Sequence, residues 1–206
     1  MACSLALAGR AARAAWPEPD RIAFAVTRNG SAIGSHTLTF QRAGQDLRVL
    51  IEAKFHVGFG PITFFRYEHR GVEQWRNGQF VSLQTDTNEN GRIFRVRAER
   101  RAAGVAIAAT NLADQLAPAT ALPLTHWAQQ AMHAPLFNPQ TGKILAETAR
   151  PIGQGTVELA NGKPIAATGY TLAGEAPIKD WYDTAGTWAA LDAVGKDGSQ
   201  IAYRRV

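Results

Sequence analysis

The chain has 206 residues, 46% of them hydrophobic and 19% charged, with one cysteine and a formal net charge of +5 at neutral pH. That length suits one domain that buries a core without disulfides or metals, and the composition excludes a disordered chain or a disulfide scaffold. The charge is too small to point to nucleic acid, and no stretch approaches the ~18 apolar residues of a membrane-spanning helix.

The chain starts "MACSLALAGRAARAAWPEP". Leu5 to Ala8 have the character of the end of an apolar export segment, and Ala12-Arg13-Ala14 matches a small-x-small cleavage site. We expect residues 1–14 to be a truncated signal peptide whose true start lies upstream. Residues 15–206 would then be a single β-rich domain in the periplasm or outside a bacterial cell. Cleavage after Ala14 would remove Cys3, and thiol chemistry with it, unless Cys3 is a lipidation site.

From Asp20 onward the apolar residues recur with period two. In "DLRVLIEAKFHV", Leu47, Val49, Ile51, Ala53, Phe55 and Val57 share a face, and Arg48, Glu52, Lys54 and His56 share the other. Side chains alternate across a strand, so this predicts a strand with one buried face. Asn29-Gly30, Asn77-Gly78, Asn90-Gly91, Asn161-Gly162 and Asp197-Gly198 punctuate such runs and favour tight hairpins. Strands are predicted near 20–29, 31–41, 46–57, 62–70, 72–77, 79–88, 92–100 and 104–110. A second group is predicted near 143–149, 155–160, 163–172, 178–184, 187–194 and 199–206.

Between the groups, Pro118, Pro123, Pro135 and Pro139 bracket "LTHWAQQAMHA". Leu124, Trp127, Ala128, Ala131 and Met132 follow helical spacing, which predicts a short amphipathic helix lying on the sheet. The expected architecture is mainly β: a large curved antiparallel sheet or half-open β-barrel with one short covering α-helix.

The candidate chemistry is sparse. In "FFRYEHRGVEQWRNGQF", Tyr67 and His69 share one strand face, while Glu68 lies on the other between Arg66 and Arg70. Glu68 and His69 therefore diverge, and the row reads as one side of a sheet. His36 shares a face with Leu38 and Phe40. His126 and His133 sit seven apart, and no metal-binding spacing is present. Asp180 and Tyr182 alternate with Trp181 and Asp183, which argues against a paired-carboxylate glycosidase. The basic stretch Arg92, Arg95, Arg97, Arg100 and Arg101 reads as an outward face, with phosphate headgroups as its functional alternative. No catalytic residue, metal site or cofactor is predicted, and the sequence names no reaction.

The segments "IGSHTLTF", "FRYEHRGVEQWRNGQFVSLQTDTNENG", "LTHWAQQAM" with "NPQTGKI", and "DWYDTAGTW" with "DGSQIAYRRV" occur in an order that resembles an exported bacterial family, domain of unknown function 6134. The last of them is also similar to domain of unknown function 3108. Both resemble the curved-sheet carriers that include the periplasmic lipoprotein-localisation factors. The resemblance implies a half-open barrel whose apolar cavity holds a ligand such as a lipid acyl chain; it supplies no catalytic residues.

Three readings follow. In the first, an exported envelope protein binds an apolar ligand against Phe24, Val26, Leu38, Phe40, Val49, Ile51, Phe55, Phe94 and Val96. The candidate ligand-binding residues are His36, Phe40, Phe55, Tyr67, Phe94, Trp127 and Met132. In the second, the protein is a structural or protein-interaction module of the envelope. In the third, it is a hydrolase using His69 or His36 with Asp180 or Glu68.

Overall fold

The structure, a computed structural model, describes residues 19–59, 62–173, 177–195 and 197–206. The signal-peptide reading and Cys3 lie outside the described residues. The first run of strands is β1 (Arg21–Arg28), β2 (Ser31–Ala43), β3 (Asp46–Phe59), β4 (Ile62–Arg76), β5 (Gln79–Glu89), β6 (Arg92–Arg101), β7 (Gly104–Ala109) and β8 (Leu112–Ala117). Two short strands follow, β9 (Leu122–Pro123) and β10 (Leu136–Phe137). The second run is β11 (Arg150–Glu158), β12 (Pro164–Leu172), β13 (Ile178–Asp183), β14 (Trp188–Val194) and β15 (Gln200–Arg205).

Asn29-Gly30, Asn77-Gly78 and Asn90-Gly91 turn the chain as their sequences require. Both residues of each pair take positive φ, from 49° to 86°. Asparagine and glycine tolerate that region, and its twist matches the flanking strands. Among the described residues the hairpins build a 13-stranded sheet in the order β11-β12-β13-β14-β15-β1-β2-β3-β4-β5-β6-β7-β8. Each pairing within it is antiparallel. The last strand therefore pairs with the first, Phe24 opposite Arg205, and that pairing joins the two runs. The sheet is open: its outer strands are β8 and β11.

Residues 118–149 pack onto the apolar face of this sheet. Trp127, Ala131, Met132, Leu136 and Phe137 join one core with Phe24, Leu38, Val49, Trp75, Leu83, Ile107 and Trp188. The expected burial of Trp127, Ala128, Ala131 and Met132 is present, but the covering α-helix is not. The segment holds a single 3-10 turn, Gln129–His133. His126 adopts φ 69° and Ala128 is extended, so no helical run passes through them. Pro123 and Pro135 leave too short a stretch for a helix to sustain itself. Polar contacts anchor the segment instead. Thr85 donates to Pro139 O at 2.6 Å, Gln115 to Gly142 O at 2.9 Å, and Tyr182 to His126 O at 2.6 Å.

Other boundaries also differ. β4 runs straight through Gly71, because the missing side chain lets Ile51 and Thr85 close over it; an added Cβ would meet them at 3.3–3.4 Å. The expected strand at 143–149 is reduced to a bridge between Phe137 and Ile144, and the edge strand begins at Arg150. β8 forms where no strand was expected; only its last residue, Ala117, is fully buried.

Gly34 has a specific role beside the β2 bulge at Ile33, opposite Val26 and Thr27. Its φ is 153°, and a Cβ there would fall 1.9 Å from the Lys54 carbonyl oxygen. Gly34→Ala is expected to cost about 1–3 kcal/mol, the usual range for a residue forced into a sparsely populated conformation. Urea denaturation should show a lower midpoint at unchanged slope; an unchanged midpoint would mean that the strand shifts register freely.

Candidate functional site

Register places two histidines in one cross-strand row. Phe24, His36, Ala53, His69, Thr87 and Phe94 stand opposite one another on β1 to β6 in turn. Ala53 is the small member between two imidazoles, so the row is hollow at its centre. The next row sets Phe55 opposite Tyr67, their rings stacked 5.2 Å apart. Over this hollow lie Leu124, Thr125 and His126 on one side and Asn138, Pro139 and Gln140 on the other. Together they border a half-open cavity of about 180 Å³, with Tyr203 of β15 in its wall.

The cavity wall mixes polar and apolar groups, and much of its polar part is uncharged. Burial drives the His36 imidazole down to about 3, with His126 and His69 adding to the shift. Burial drives His69 down to about 4. Both rings are therefore neutral at physiological pH. Burial pushes the phenols of Tyr67 and Tyr203 up, so both keep their protons. Tyr67 donates to Gln140 at 3.1 Å, and Gln140 donates in turn to Glu89 at 2.9 Å. His69 Nδ1 lies 2.7 Å from the Thr87 hydroxyl.

Several polar atoms here are unpartnered. His36 Nε2 is fully buried with no hydrogen-bond partner. Among the described residues, His69 Nε2, His126 Nε2 and the Tyr203 hydroxyl also make no hydrogen bond to protein. Buried polar groups are normally satisfied, so the buried His36 Nε2 at a cavity marks a place for a ligand or for bound solvent.

His126 is the most constrained member. Asp180 Oδ2 meets its Nδ1 at 2.9 Å, with the Asp180 side chain 1% exposed and the imidazole 18% exposed. Its ring stacks on Trp188 at 5.2 Å, its carbonyl accepts from Tyr182, and its φ is in the left-handed region. A histidine in that conformation is uncommon and is held by its surroundings.

A second buried carboxyl sits deeper. Glu73 is fully buried in the row Phe40, Val49, Glu73, Leu83, Ala98. Its Oε2 accepts from the indoles of Trp75 at 2.6 Å and Trp127 at 3.0 Å. Thr125 comes near enough to pull on the carboxyl electrostatically, yet Glu73 Oε1 and Thr125 Oγ1 close no hydrogen bond of good geometry. Burial dominates and raises the Glu73 carboxyl above the usual range, against the pull of its three neighbours.

Of the residues expected to bind a ligand, His36, Phe55 and Tyr67 line the cavity. Phe40, Trp127 and Met132 lie in the filled core, and Phe94 is half-buried on β6 with Arg92 over its ring. The hydrolase pairing is not assembled as written: Asp180 binds His126, and Glu68 pairs with Arg66 on the outer face. His126, Asp180, Tyr203 and Glu73 were not singled out together, because strands distant in sequence bring them in. The one sequence signal was that Asp180 and Tyr182 share a face.

A larger groove of about 540 Å³ crosses β5 to β8 beside Arg97 and Arg101. Much of the basic stretch is occupied there. Arg95 pairs with Asp86, Arg101 with Glu99, and Arg100 donates to Phe80 O. The groove contains no unpartnered buried polar atom, so the smaller cavity is the stronger candidate. Among the described residues, no group of three or more His, Cys, Asp or Glu is placed to hold a metal ion, and no helix is long and apolar enough to cross a membrane.

No curated protein matches the sequence. A β-barrel-like protein from Brucella abortus, of domain of unknown function 1849, is similar in structure with a TM-score of 0.63. It is 9% identical, over 90% of this chain and 94% of that one, a likeness of fold alone. A family model matches residues 24–206, and the chain belongs to that family, described as domain of unknown function 6134.

Proposed function

We propose that this protein is exported to the bacterial envelope and binds a small, partly apolar ligand in the cavity beneath residues 118–149. One observation carries the reading: His36 Nε2 is buried and unpartnered on a cavity whose wall also includes Tyr203 and the apolar Ile51, Phe55 and Leu124. A cavity of about 180 Å³ is below the roughly 300–1,000 Å³ of most ligand pockets. That volume favours a small molecule, or the end of a longer one such as an acyl chain, over a whole lipid. The filled core around Trp127 and Met132 argues the same way. Export is supported by the apolar, alanine-rich N-terminal pattern, and lipid binding by the resemblance to the lipoprotein-localisation-factor-like carriers.

The test is native mass spectrometry, with solvent extraction, of protein purified from the periplasm without detergent. The expected result is a bound mass that extracts as a small amphiphile and is lost in His36→Phe, which fills the cavity. A clean unliganded mass, unchanged by added short-chain amphiphiles, would sink the reading.

The open sheet supports a second reading, a protein-interaction module. The outer strands expose Leu116 (58%) on β8 and Ile152 (43%) on β11, where a partner strand could add. Capture of a single envelope protein, lost on placing a proline within β11, would favour it.

A further inference from the structure

We infer that His126 and Asp180 form a general-base pair that hydrolyses a small uncharged ester held in the cavity; this rests on the cavity being a ligand site. Four observations converge. Asp180 binds Nδ1, which leaves Nε2 of the same ring without a protein partner. The ring is fixed from several sides, by Asp180, by Trp188, and through its own carbonyl by Tyr182. Asp180 is buried, so water does not compete for its Oδ2, whereas the imidazole keeps contact with solvent. The same cavity holds neutral imidazoles and a phenol that keeps its proton. A base oriented by a carboxylate, with hydrogen-bond donors across a cavity, is the arrangement that acyl transfer to water requires.

The substrate class follows from the wall. Among the described residues no serine or cysteine lines the cavity, and the hydroxyl of its one threonine, Thr125, lies against the Glu73 carboxyl, so water is the attacking nucleophile. His36 and His69 are neutral and offer no fixed charge to an anionic substrate. The volume limits the substrate to about the size of an aryl or short-chain acetate.

In the reaction, His126 Nε2 takes a proton from water as the water oxygen bonds to the ester carbonyl carbon. With the Thr87 hydroxyl donating to His69 Nδ1, the His69 proton sits on Nε2. That N–H and the Tyr203 hydroxyl donate to the oxyanion. The carbon–alkoxide bond then breaks, His126 returns its proton to the departing oxygen, and a carboxylic acid and an alcohol leave. His126 is the catalytic base; Asp180 is a positioning residue that holds the tautomer.

The test uses phenyl acetate and the intact protein, following product release and the His36 and His69 ring resonances together. Hydrolysis well above that by an equal concentration of free imidazole is expected. His126→Asn, chosen because asparagine tolerates positive φ, should lose about 10²–10⁴-fold in kcat. Asp180→Asn should lower kcat with KM little changed, as expected when the ring is held in the wrong tautomer. Tyr203→Phe keeps the ring and should lose activity while still binding, which supplies the decision if His126→Asn does not fold. Ring shifts without hydrolysis above imidazole would overturn this inference and leave the binding reading standing. Neither shifts nor hydrolysis would overturn both. Full activity in His126→Asn, or in Tyr203→Phe should that variant alone fold, would place any hydrolysis elsewhere and overturn the assignment.

Discussion

Trp127→Ala should lower the unfolding free energy by about 3–5 kcal/mol, the usual cost of deleting a large buried aromatic. Trp127 is 2% exposed and packs edge-on against Trp75 at 5.2 Å and Phe40 at 5.4 Å. It also donates to Glu73. Residues 118–149 have no long helix to organise them, so this side chain does much of the anchoring. Trp127→Phe should recover part of the loss, since it restores the packing without the indole donor. Urea denaturation of the three proteins measures the effect. A loss below about 1 kcal/mol would show that the segment is held mainly by its backbone contacts. The cavity should suffer too, because Leu124, Thr125 and His126 immediately precede this anchor.

Replacing Glu73 separates packing from charge. Glu73→Ala leaves two buried indole N–H groups without their acceptor, at about 1–3 kcal/mol each, and opens a hole besides. Glu73→Gln keeps an oxygen for the indoles and adds an amide N–H facing Thr125. Its effect depends on pH. The folded-state carboxyl is raised above its ordinary 4.5, so protonation favours the folded protein. Below about 4.5 both states hold the proton and nothing is lost. As pH rises from there through the folded value, the wild type loses stability, because the unfolded chain ionises more readily. Glu73→Gln has no such loss. Its stability relative to wild type should increase as pH rises above about 4.5. The two histidines act in the opposite sense: their contribution is complete above about 6.5 and is lost as pH falls through 4 and 3. They are present in both proteins and cancel in the difference. A difference that is flat with pH would mean that Glu73 is ionised throughout.

The strands were legible because a half-buried sheet imposes period two on side chains, and "DLRVLIEAKFHV" shows it almost without interruption. Leu47, Val49, Ile51 and Ala53 are indeed buried. The hairpins were legible because Asn-Gly pairs take a conformation that few other residues accept. The helix was misread for a physical reason. Burial at positions 124, 127, 128, 131 and 132 satisfies helical spacing, but an irregular segment can bury the same side chains. Only backbone conformation, such as the positive φ of His126, separates the two. His36, Phe55 and Tyr67 could be named from alternation within single strands. Asp180, His126 and Tyr203 could not, since their meeting depends on β15 lying beside β1 and on where residues 118–149 come to rest. Glu73 was hidden because a carboxylate within a charged stretch resembles a surface residue until its strand face is known.

The β1–β15 pairing has a consequence for the order of assembly. Val206 N–H bonds to Ala23 O, so the far end of the chain completes the sheet where the strands began. As the chain folds, β1 to β8 can zip up from neighbour to neighbour. One side of β1, however, has no partner until β15, which follows it by some 170 residues, is in place. Closing that contact joins positions some 180 residues apart, and such distant pairings are slow. In the interim, β1 presents the apolar face of Ile22, Phe24 and Val26 beside an open backbone edge, a template for pairing with another chain. Until β15 docks, the aggregation hazard of this sheet is concentrated in β1.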